Sequence, residues 1–187
     1  MTARWQDGCW RGARQVRSRH CDARPDRNDI SLLVLHNISL PPGQFGTPYV
    51  EAFFTGQLPV SADPYFSTIA DLRVSAHFFI RRDGEIVQFV STHDRAWHAG
   101  VSSFQGRERC NDFSIGIEIE GSDDCAYLDA QYAQLVALTL AIVAEYPAIT
   151  LERITGHQHV APQRKTDPGS FFDWDRYRRM LSTSWTR

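Results

Sequence analysis

Three side chains with metal-ligand chemistry, His36, His157 and Asp167, fall in two separated segments of this 187-residue chain. Ring nitrogens and a carboxylate are ordinary zinc ligands, and a catalytic zinc site keeps three of them and leaves one position open for water. The second segment, RITGHQHVAPQRKTDPG, also offers His159 and Lys165, and Gly and Pro break it too often for a single helix. It has no close pair such as H-E-x-x-H, so by spacing alone a basic surface loop with incidental histidines stays open as a reading. His77 and His98 compete, either as cleft-lining residues or as partners that orient a ligand. His20 and His93 lie in polar, loop-like settings and are read as uninvolved.

Glu118 and Glu120 add carboxylates. Two residues apart in a strand, they point to one face about 7 Å apart, and burying them among Ile115, Ile117 and Ile119 is costly unless they are paired or neutralised. One can accept hydrogen bonds from neighbouring loops while the other serves as a base, and the residues alone do not say which. A glycosidase is the runner-up chemistry, but its two carboxylates flank the scissile bond, whereas strand neighbours lie on one side of it.

The elements that must position these groups follow from pattern. Residues 31–36 (SLLVLH) form a continuous apolar run, which predicts a buried central strand ending at His36. Thr47-Pro48 and Asp63-Pro64 read as starts of short helices, the first running through Phe54. Asp83-Gly84 between two apolar runs predicts a hairpin over residues 75–90. Residues 112–120 predict a further strand. The stripe Tyr132, Leu135, Val136, Ile142, Val143 and Tyr146 predicts a long helix stopped by Pro147, and a last helix starts at Asp173-Trp174. The order implies one α/β (mixed α+β) domain with a central mixed sheet flanked by helices. Residues 1–30 read as an irregular segment packed on a catalytic domain spanning 31–181.

Composition sets the outer limits. The net charge of -2 shows no nucleic-acid footprint, and no run approaches the ~20 apolar residues that span a bilayer. The N-terminus shows no basic stretch followed by an apolar run, so no export signal is expected. Four cysteines without a C-x-x-C spacing are expected to be free thiols in a chain large enough to build its own core.

Three blocks, SLLVLHNISLPPGQFG, RAWHAGVSSFQGRERCNDFSIGIEIEG and TGHQHVAPQRKTDPG, together resemble the AmpD-type 1,6-anhydro-N-acetylmuramoyl-L-alanine amidases, which share their fold with phage amidases and peptidoglycan-recognition proteins. The resemblance runs from about Ser31 to Tyr177. It implies that His36, His157 and Asp167 hold a zinc ion, that Glu118 is the general base for the attacking zinc-bound water, and that Lys165 stabilises the oxyanion. It also implies that Asn37, Arg73, Trp97 and Arg109 line the cleft. The chain departs from the family pattern at Gln158 and Gln163, and His159 is an extra nitrogen beside a ligand position. The implied activity is cleavage of the muramoyl–L-alanine amide in soluble cytoplasmic muropeptides during peptidoglycan recycling, by a monomer. The expected partner is that small-molecule substrate, with no nucleic acid and no membrane. The alternative is a non-catalytic peptidoglycan-fragment binding module on the same fold.

Overall fold

The computed structural model describes residues 4–184, opening with four short strands: β1 (Trp5–Gln6), β2 (Cys9–Trp10), β3 (Arg14–Gln15) and β4 (Cys21–Ala23). There follow β5 (Leu32–Ile38), α1 (Tyr49–Phe54), α2 (Phe66–Ile69), β6 (Phe78–Ile80), β7 (Ile86–Gln88), β8 (Asp94–Ala96), β9 (Ser103–Phe104) and β10 (Arg107–Glu108). The chain ends with β11 (Ser114–Glu120), α3 (Asp129–Glu145), β12 (Ile154–Gly156), α4 (His157–Val160) and α5 (Trp174–Ser184). Six strands form the main sheet in the order β12-β5-β11-β6-β7-β3. The first four of these run parallel, β7 turns back antiparallel to β6 through the Asp83-Gly84 turn, and β3 pairs with β7 at the edge. Gly84 takes a φ of 91°, which a residue with a Cβ adopts only under strain.

Alternation along β5 and β11 divides the molecule into two sides. Leu33, Leu35, Ile115, Ile117 and Ile119 face a core completed by Leu135, Leu138 and Ile142 of α3 and by Tyr177 and Leu181 of α5. That burial holds the long helix down, since a buried Leu contributes roughly 1.5–3 kcal/mol relative to an exposed one. Residues of the other parity, including His36, Ser114, Gly116 and Glu118, face away from α3. On that side α1 and α2 bury Val50, Phe53, Phe54, Phe66 and Ile69 against Phe79, Val87 and Phe89. The strand ending at His36, the hairpin, the strand ending at Glu120 and the two long helices all form where the sequence pattern places them, to within two or three residues at their ends.

The first thirty residues do more than the irregular segment expected. Their strands are two or three residues long, too short to leave a periodic signal. What draws them in is a buried polar group: the Gln88 side-chain amide accepts the Trp10 N–H at 2.8 Å and donates to the Gly8 carbonyl at 2.8 Å. Trp5 packs edge-on against Phe78 and Tyr146. Residues 1–3 of this segment lie outside the described residues. All four cysteines are free, and no helix among the described residues is long and apolar enough to cross a membrane.

Candidate active site

Three adjacent parallel strands deliver the site from their C-terminal ends, where open α/β sheets ordinarily place their ligands. His36 lies near the end of β5, Glu118 lies opposite it in register on β11, and His157 follows β12 directly. Asp167 arrives on the loop after α4, where the Gln158 N–H donates to its backbone carbonyl at 2.9 Å. The next carbonyl, that of Pro168, accepts the Tyr127 hydroxyl at 2.7 Å. Gly169 packs so tightly on Asp123 that an added Cβ would stand 2.4 Å from its Cα, so glycine is required at this position.

These elements bring His36 Nδ1, His157 Nδ1 and Asp167 Oδ2 together, at separations of 2.9, 3.1 and 3.0 Å. Among the described residues this is the one group of three or more His, Cys, Asp or Glu side chains close enough to hold a metal ion. Burial lowers the His36 pKa to about 4, against the opposing influence of the adjacent Asp167 carboxylate, so the ring is neutral at pH 7 as metal ligation requires. Asp167 is pushed up by burial, but its close contacts with the His157 and His36 rings outweigh this and hold it ionised well below the usual carboxylate range. His157 Nε2 meets the Ala99 carbonyl at 3.1 Å, an acceptor that fixes the proton on Nε2 and leaves Nδ1 a lone pair. Two ring nitrogens and one carboxylate converging at these distances fit the donor set of a zinc site with an open position. His159 stays outside the group: it is exposed, tilted beside Trp174 and 3.4 Å from Thr155 Oγ1.

The structure separates the two glutamates. Glu120 accepts the Gly46 and Arg82 backbone N–H groups at 2.5 and 2.8 Å, the neutralisation its burial requires. Glu118 is buried with Oε2 bare of any partner. Burial drives its pKa well above the usual carboxylate range, the Asp167 charge adds to this, and the Lys165 charge opposes it.

Glu118, His157 and Asp167 line a cleft of about 750 Å³ together with Asn37, Trp97 and Lys165. Its apolar lining includes Leu40, Phe53, Tyr65, Ile69 and Leu72, and its polar lining includes Ser122, Asp123 and Thr166. Asn37 is oriented by donating to Asp123 at 2.7 Å. Lys165 is exposed at the cleft, and its charge reaches Glu118 and His36. The two arginines expected in the cleft lie beside it. Arg73 lines an adjoining groove with Arg19 and His20, its guanidinium bonded to the Ala70 and Leu72 carbonyls. Arg109, held at φ 62°, ion-pairs with Asp112 at 3.1 Å and borders a depression shared with Arg164. Two other residues differ from their sequence reading or escaped it. His20, read as uninvolved, is buried and stacked on Trp97 at 6.2 Å. Arg164 donates to the Ala99 and Val101 carbonyls at 2.6 and 2.8 Å, tying the loop that carries Lys165 and Asp167 to the loop after Trp97. Neither contact leaves a sequence signal, because each joins segments at least 60 residues apart.

Residues 26–170 match the family model described as N-acetylmuramoyl-L-alanine amidase. The chain is 63% identical over 172 residues to the 1,6-anhydro-N-acetylmuramyl-L-alanine amidase AmpD of Citrobacter freundii, covering 92% of this chain and 91% of that one. The crystal structure of a selenomethionine AmpD derivative, 61% identical, superposes with a TM-score of 0.91 over 94% of this chain and 98% of that one. More distantly, at 29% identity and a TM-score of 0.61, the chain resembles Escherichia coli AmiD, solved in complex with anhydro-N-acetylmuramic acid-L-Ala-D-gamma-Glu-L-Lys; the match covers 85% of this chain and 60% of that one. The chain belongs to the N-acetylmuramoyl-L-alanine amidase family, as an enzyme of the AmpD type.

Proposed function

We propose that this enzyme hydrolyses the amide between anhydro-N-acetylmuramic acid and L-alanine in soluble cytoplasmic muropeptides, with zinc as its cofactor, in peptidoglycan recycling. The observation that supports this best is the bare, buried Oε2 of Glu118 beside a converging His-His-Asp group. A buried carboxylate without a partner is destabilising and calls for a function. His36, His157 and Asp167 would hold the ion. When bound, zinc supplies Lewis acidity, lowering the pKa of a water and polarising a carbonyl.

The protein's own groups then divide the work. Glu118 takes a proton from the attacking water and returns it to the nitrogen of the leaving L-alanine as the C–N bond breaks. Lys165 places an ammonium where the carbonyl oxygen gathers negative charge. Asn37 and Trp97 line the cleft for the sugar and first peptide unit. Arg73 and Arg109 stand at its margins, where they can grip the carboxylates of the stem peptide. The catalytic unit in this reading is residues 31–181, with the first thirty packed upon it.

The test is a parallel measurement of kcat/KM on anhydro-muropeptide, reducing muropeptide and insoluble sacculi. Efficient release of L-Ala-initiated peptides from the soluble anhydro substrate, with poor activity on sacculi, is expected. Comparable rates on sacculi would make the protein a wall-lytic enzyme and remove the recycling role.

A further inference from the structure

Behind His36 runs a file of buried groups that the reaction as described does not use. His36 Nε2 lies 2.9 Å from His98 Nδ1, and His98 Nε2 lies 3.1 Å from Ser114 Oγ. His98 and Ser114 are both buried. The His98 backbone is fixed as well, since Asn111 Oδ1 accepts the N–H groups of His98 and Ala99 at 3.2 and 2.8 Å. Ser114 is anchored where its carbonyl accepts a 2.7 Å bond from the buried Arg24 guanidinium.

The neighbouring strand is shaped to admit this ring. A Cβ on Gly116 would stand 2.5–2.7 Å from three atoms of the His98 imidazole, closer than real contacts come. Gly116 has no positive φ that would itself require glycine, and it sits mid-strand, where glycine weakens the ladder. The room it leaves is filled by His98.

Counting protons along the file shows what the arrangement does. A neutral imidazole carries one N–H, so each ring donates at one nitrogen and accepts at the other. The file can run outward, from His36 through His98 to Ser114, or inward from the serine hydroxyl. Run inward, it leaves a proton on His36 Nδ1, the atom that faces His157 and Asp167. Run outward, it leaves Nδ1 a bare lone pair, matching the one that Ala99 enforces on His157.

We propose that His98 is a positioning residue: it accepts the Nε2 proton of His36 and donates its own to Ser114, so that His36 presents Nδ1 to the metal, with Gly116 as the space that makes this possible. This rests on the reading of His36, His157 and Asp167 as the zinc-holding set. Outer partners of this kind fix the tautomer and orientation of a metal-binding ring.

The experiment titrates zinc ion against a competing chelator, using metal-free wild type, His98→Leu, His98→Asn, Gly116→Ala and, as reference, His157→Ala. It is paired with a long-range 1H–15N spectrum of zinc-loaded wild type. His98→Leu and Gly116→Ala should bind zinc roughly 10–100-fold more weakly. His98→Asn, whose amide oxygen can accept at the δ position, should recover most of the affinity. The spectrum should show His98 protonated at Nε2 and bare at Nδ1. Wild-type zinc affinity in His98→Leu, or a proton on His98 Nδ1, would overturn the proposal, and the spectrum decides the matter even where a variant fails to fold. Undiminished binding by His157→Ala would instead overturn the zinc-holding set beneath it.

Discussion

Replacing Glu118 with glutamine is expected to lower kcat on an anhydro-muropeptide by roughly 10²–10⁴-fold, the range for loss of a general acid–base group, while zinc stays bound at one per chain. The substitution keeps the volume and removes only the proton carrier, so a loss confined to kcat separates chemistry from metal binding. Glu120→Gln is the comparator: its carboxylate is occupied by Gly46 and Arg82, so its effect falls on stability instead. A second readout follows from the high pKa of Glu118, set by burial and then by Asp167, with Lys165 opposing. The folded protein binds this proton more tightly than the unfolded chain does, so stability falls as pH rises above the ordinary glutamate value of about 4.3. In metal-free protein at pH 7, Glu118→Gln should therefore melt at a higher temperature than wild type, and the difference should close toward pH 4. Near-normal turnover by Glu118→Gln would sink the base assignment; a lower melting temperature at pH 7 would contradict the burial argument.

The second large effect concerns His157. His157→Ala removes one of three donors that lie within 3.1 Å of each other, and metal and activity should be lost together. His159→Ala, two residues on, should keep both, because its ring lies outside the group beside Trp174. Metal analysis of the purified variants checks this directly. Loss of metal from His159→Ala with retention by His157→Ala would reverse the assignment.

Much of this site was legible in the sequence, for a physical reason: strands written as apolar runs or as alternation announce both their existence and their faces. The run ending at His36 and the alternation ending at Glu120 therefore placed two strand-borne groups before any coordinates. β12 was not legible, because three residues, Ile154–Gly156, leave no period, yet this strand sets His157 at the sheet's edge beside His36. Nor could pattern alone divide the labour of Glu118 and Glu120. They share residue type, strand and face, and the difference lies in partners 38 and 74 residues away from Glu120. The arginines show the same limit. Where Arg109 points follows from a left-handed backbone in a loop, and Arg73 is turned onto the carbonyls of its own short segment. Long flexible side chains report their loops, and loops carry little periodic signal.

The most direct test of the account is to measure zinc content and turnover of one defined anhydro-muropeptide on the same preparation, during stepwise chelation and re-addition of the metal. The account predicts that activity falls in proportion to bound zinc, reaches background in metal-free protein, and returns as one zinc per chain is restored. Full turnover by protein stripped of metal would contradict it, as would stoichiometric zinc with no release of L-alanine-initiated peptide.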